Sequence, residues 1–77
     1  MKKGGGGVDR SLLFAAIERS GIKQYKLAEA LGLSRTGFAL KVSGENDFKM
    51  GEIAALSKVL NLNAQERDEI FFADNVD

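Results

Sequence analysis

The chain has no cysteine, no histidine, no proline and no tryptophan, and only one tyrosine among its 77 residues. Without cysteine there is no disulfide staple, no thiolate nucleophile and no iron–sulfur ligation. Without histidine as well, the usual structural zinc sites and imidazole acid–base catalysis drop out. The missing cysteines also remove any argument for an oxidising compartment. No apolar run approaches the ~18–20 residues of a membrane span. The start, Met1-Lys2-Lys3, has the charge of a secretory leader but runs into Gly4 to Gly7 instead of an apolar stretch. No signal peptide is expected there, and the expected compartment is the cytoplasm.

Hydrophobic residues make up 44% of the chain and charged residues 29%, a balance that folds rather than staying disordered. A chain this short buries only about 60% of its unfolded surface, so one domain is all it can build. The divisions expected are a flexible Lys/Gly arm or added linker over 1–7, one domain over 8–72, and a frayed tail over 73–77. Net charge is zero, yet residues 1–49 carry nine Lys/Arg against five Asp/Glu, and residues 50–77 carry two against six. The protein is therefore dipolar, and the sign of a patch matters more for a partner than the sum.

The apolar spacing is helical throughout. Leu13, Ala16, Ile17 and Ser20 form one stripe behind Val8-Asp9-Arg10-Ser11, and Gly21 closes it. Gln24 to Leu31 places Leu27, Ala28 and Leu31 on one face before Gly32. Ser34 can cap a third helix from Arg35 to about Val42, with Phe38 and Val42 inward. After the turn cluster Ser43 to Asp47, a fourth helix from about Met50 to Leu60 sets Ile53, Leu56 and Leu60 in register. Its start is weak, since Lys49 offers no side-chain acceptor. Asn63 and Glu66 form a capping-box pair for a fifth helix bearing Ile70 and Phe71. Nothing alternates at period two, so the expected fold is all-α, a compact bundle of five short helices.

One stretch says more. Gln24-Tyr25-Lys26-Leu27-Ala28-Glu29-Ala30-Leu31-Gly32-Leu33-Ser34-Arg35-Thr36-Gly37-Phe38 sets two short helices around a glycine turn. It resembles the helix-turn-helix of the lambda-repressor-like family of phage repressors and Cro proteins. The likeness extends into Phe38 to Gly44 and then Phe48-Lys49-Met50-Gly51-Glu52-Ile53, and covers about residues 9–71. In this reading Ala28, Gly32, Leu33 and Phe38 are the packing positions of the motif. Two departures stand out. Lys49 replaces the usual Ser or Thr cap, at about 1 kcal/mol. Gly37 lies inside the second motif helix, at about 1 kcal/mol relative to alanine.

The resemblance implies a sequence-specific regulator, Cro-like, bound to double-stranded DNA as a homodimer on a short palindromic operator. Arg35, Thr36, Ala39 and Leu40 would read bases, with Arg35 suited to a bidentate contact with guanine. Gln24, Lys26, Ser34, Lys41, Ser43, Asn46 and Lys49 are candidate phosphate contacts. Lys2 and Lys3 would extend this set if the arm entered a groove. Ile70, Phe71 and Phe72 are candidates for the dimer interface, because three consecutive apolar residues cannot all face one small core from a helix. The competing reading is a protein-interaction module on the same fold, resembling an antitoxin or anti-repressor. An enzyme is not expected, and neither are a metal, a cofactor or a small-molecule ligand: no triad, dyad or phosphate-binding glycine loop is present.

Overall fold

Among the described residues five helices form where an apolar stripe follows a residue that can start a helix. The computed structural model describes residues 8–72; the arm expected over 1–7 and the tail expected over 73–77 lie outside the described residues. Helix α1 spans Arg10–Ser20, α2 Gln24–Leu31, α3 Arg35–Ser43, α4 Met50–Val59 and α5 Ala64–Phe71. The described residues contain no strand, and the all-α bundle is the one the periodicity predicts. None of these helices is long and apolar enough to cross a membrane.

Side chains cap three of the starts. Asp9 accepts from the Leu12 N–H at 3.1 Å, Ser34 from Gly37 at 2.9 Å and Asn63 from Glu66 at 2.7 Å. Glu66 returns a bond to the Asn63 N–H at 3.0 Å, completing the expected box. Helices α2 and α4 instead begin behind Lys23 and Lys49, which offer no acceptor. A second device holds these starts in place. At four helices the residue before the cap and the residue five positions later are both apolar: Val8 and Leu13, Ile22 and Leu27, Leu33 and Phe38, Phe48 and Ile53. All eight lie in or against the same core, the arrangement of a hydrophobic staple that fixes the angle at which the chain enters a helix. At α4 the Glu52 carboxylate also accepts the Lys49 N–H at 2.8 Å, which relieves the weak start expected there.

The turn between α2 and α3 needs Gly32 at φ 73°, a left-handed conformation that strains any side chain. From it the Leu33 N–H returns to the Ala28 carbonyl at 2.9 Å. Gly44, at φ 95°, ends α3 for two reasons. Its backbone is left-handed, and the Arg10 guanidinium from α1 occupies the space a side chain would need while donating to the Ser43 carbonyl.

Leu13, Ala16 and Ile17 of α1, Leu27 and Ala28 of α2, Phe38 and Val42 of α3, and Ile53 and Leu56 of α4 form one buried cluster with Leu60. Ala28 keeps α2 close to its neighbours α3 and α4. Phe48, in the segment between α3 and α4, stands edge-on to both Phe38 and Phe71, with ring centroids 6.4 and 5.5 Å apart. The α5 end corrects an expectation. Phe71 is 1% and Ile70 4% exposed, and Phe72 is half-buried against the same core, so Ile70 and Phe71 are not surface available to a second copy. All three fit because the helix stops at Phe71. Phe72 leaves it at φ −126°, ψ 38° and packs back onto the core. The Asp9 N–H donates to the Ile70 carbonyl at 2.7 Å and ties the start of the domain to this end.

Candidate nucleic-acid interface

With Ser34 capping α3 and Phe38 and Val42 turned inward, helical periodicity leaves one row outside. Arg35, Thr36, Ala39 and Leu40 are all exposed on α3. Leu40 is among the few large apolar side chains left in solvent. Gly37 belongs to the first turn of the helix rather than its interior, so its cost is smaller than the sequence pattern suggests. A Cβ there would sit 3.1 Å from the Ser34 hydroxyl, so glycine leaves the cap room.

Arg35 also faces α2. With Gln24, Tyr25 and Phe38 it lines a cleft of about 310 Å³ between the starts of the two helices. Tyr25 is not among the site residues expected from the sequence; it is partly exposed and lines the same cleft as Arg35. Among the described residues Arg35 makes no ion pair. An exposed guanidinium at the edge of a cleft presents its planar donor fork to whatever occupies the surface.

The electrostatics of the helix starts are unusual. A lysine in front of a helix opposes the positive end of the helix dipole and leaves the first N–H groups without a side-chain acceptor. The same arrangement suits an anion, which both the open N–H groups and the ammonium attract. Helix α2 begins this way, behind exposed Lys23, with no acid in its first turn. Helix α4 also begins behind an exposed lysine, Lys49, but its first turn carries the Glu52 carboxylate, which Lys41 pairs. One such start adjoins each end of α3. The start of α2 shares the cleft with Arg35, and the start of α4 is joined to the last turn of α3 through Lys41 and Glu52. Lys23 was missed in the sequence reading, although its place directly before Gln24 marks it as the residue in front of a helix.

The phosphate candidates divide. Gln24, Lys26 and Lys49 are exposed, as is Asn46, whose backbone N–H bonds the Leu40 carbonyl at 3.2 Å. Ser34 accepts from Gly37, which leaves its hydroxyl hydrogen to donate outward, whereas Ser43 donates to the Leu40 carbonyl at 3.0 Å. Lys41 is a correction. Its Nζ lies 2.5 Å from Glu52 Oε1, with the two side chains 11% and 13% exposed, so its charge is spent inside the protein. The reason is positional: residue 41 sits on the shoulder of the buried 38/42 stripe, facing the start of α4. Burial pushes the Glu52 carboxyl up. The hydrogen bonds from Lys41 and from the Lys49 backbone, with the charges of both lysines, outweigh it and hold the group below its ordinary value of 4.5.

A family model described as "Protein of unknown function (DUF739)" matches residues 9–74. Comparison with curated proteins finds no match.

Proposed function

The chain belongs to the DUF739 family, whose description names no activity, and from the surface of its domain we propose that it binds double-stranded DNA sequence-specifically, as a transcriptional regulator. One observation carries the reading: helix starts headed by an exposed lysine stand beside both ends of α3, whose exposed row is Arg35, Thr36, Ala39 and Leu40. Donors at both ends of a helix suit two stretches of phosphate backbone, with the helix between them in the major groove. In this reading Arg35 pairs with guanine and Leu40 meets a thymine methyl. Gln24, Lys26, Lys23 and Lys49 hold the backbone, with Ser34 and Asn46 beside them. The helix-turn-helix resemblance of residues 24–41 supports the same assignment.

A single domain makes few contacts, so the reading includes a homodimer whose two α3 helices meet successive major grooves about 34–36 Å apart. Occupancy of such an operator would repress by excluding polymerase from the promoter.

Selection of bound sequences from a random double-stranded pool near physiological salt tests this. An enriched inverted repeat with half-sites one turn apart is the expected result. A single half-site would remove the homodimer, and no enrichment would remove DNA binding. A second reading, a protein-interaction module, is favoured by one feature: Leu12 and Phe14 of α1 are both more than two-fifths exposed. Substituting both residues leaves an enriched DNA sequence unchanged if DNA is the partner.

A further inference from the structure

We propose that Lys41 and Glu52 act as a positioning latch, fixing Lys49 and the start of α4 relative to the exposed row of α3. Its functional consequence rests on the DNA reading above; the latch itself does not. The latch turns on a single oxygen. Glu52 Oε1 accepts from Lys41 Nζ at 2.5 Å and from the Lys49 N–H at 2.8 Å, and so joins the last turn of α3 to the first residue before α4.

Between these anchors runs a segment with no helix of its own, 44–49. Its front half is held by the Glu45 and Asn46 N–H groups, both on the Leu40 carbonyl, and Phe48 is sunk in the core. Lys49 comes next, exposed, at the point where the chain turns into α4. Phe48 seats the chain from the core side, and the carboxylate adds the polar tie between this residue and α3. Lys41 and Glu52 therefore touch no ligand; they act through Lys49. A different arrangement, in which Lys41 leaves the pair to meet a phosphate, would strand the Glu52 carboxylate with a partner lost and its negative charge facing the nucleic acid.

The two arrangements give opposite signs in one experiment. The wild-type chain, Glu52→Gln, Lys41→Met, Lys41→Arg and Lys49→Ala are compared by amide hydrogen exchange without DNA, and by binding to the selected DNA across a salt series. The latch requires faster exchange over 44–50 in Glu52→Gln and Lys41→Met, with α1 and α5 amides as protected as in wild type, and recovery in Lys41→Arg. On DNA, Glu52→Gln should bind at least about threefold more weakly, and Lys49→Ala added to it should cost little more, as coupled residues do. Its salt slope should fall by about 0.9, the loss of one phosphate contact, just as in Lys49→Ala. Tighter binding by Glu52→Gln, with a slope loss in Lys41→Met alone, would make Lys41 a phosphate ligand and overturn the proposal. Unchanged exchange over 44–50 would overturn it as well. If wild type binds no DNA, the DNA reading fails, while the exchange data still decide whether the latch exists.

Discussion

Phe48 and Phe71 meet edge to face, their ring centroids 5.5 Å apart. The contact joins the segment before α4 to the last residue of α5, and through Phe48's second partner, Phe38, it reaches α3. The C-terminal helix therefore helps to seat α3 from within. Phe71→Ala should lower unfolding stability by about 3–5 kcal/mol, the usual result of emptying a buried aromatic site. In a domain with about 5–15 kcal/mol to lose, that moves the urea midpoint far down or abolishes the transition. A surface role in dimer formation would instead leave the monomer's midpoint in place and change only its sedimentation.

Ser57 lies buried in α4, and its hydroxyl has no hydrogen-bond partner among the described residues. An unsatisfied buried hydroxyl costs about 1–3 kcal/mol, and alanine keeps the same Cβ and is the better helix former. Ser57→Ala is expected to raise stability by about 1 kcal/mol. A lower midpoint in the same urea titration would show that the hydroxyl is bonded in solution.

Glu52 makes stability depend on acid in a defined direction. Its folded carboxyl is held below the ordinary 4.5, by Lys41 and by the backbone and charge of Lys49. An acid lowered in this way contributes stability above its unfolded value, and that contribution is lost as pH falls through the folded value. Urea midpoints of wild type and Glu52→Gln should thus differ most near neutrality and converge below pH 4.5. A constant gap down to strong acid would show that the pair does not titrate with folding.

Arg35→Ala should weaken binding to the selected sequence by about 1–3 kcal/mol and relax one base position. Repeating the selection with the variant checks both. Equal losses on every sequence would reassign Arg35 to the phosphate backbone, where Lys26→Ala is expected to act.

Most of the fold could be read from spacing, because α1, α2 and α3 each combine an apolar stripe with a closing glycine. Two residues show where that reading failed. Phe72 could not be placed by helical periodicity, since it is the first residue outside the helix and its direction depends on where the helix stops. Lys41 looked free because a lysine beside a recognition surface usually is, and its partner Glu52 is eleven residues away across a turn. Phe48 lay in a segment without periodicity, yet one signal was available: it stands five residues ahead of Ile53, as Val8 does ahead of Leu13. The exposed row of α3 followed directly from which residues had to be buried. Its flanking lysines were harder to interpret, since a residue at a helix start is recognised by what it caps, and these cap nothing.

Tyr25 is the chain's only tyrosine, and there is no tryptophan to mask it. It lines the cleft shared with Arg35 and Gln24, at the point where α2 and α3 begin. The protein therefore carries a single intrinsic fluorophore at its candidate interface. Excited at wavelengths where the five phenylalanines scarcely absorb, its emission can report occupancy of that cleft in the unlabelled, unmodified chain.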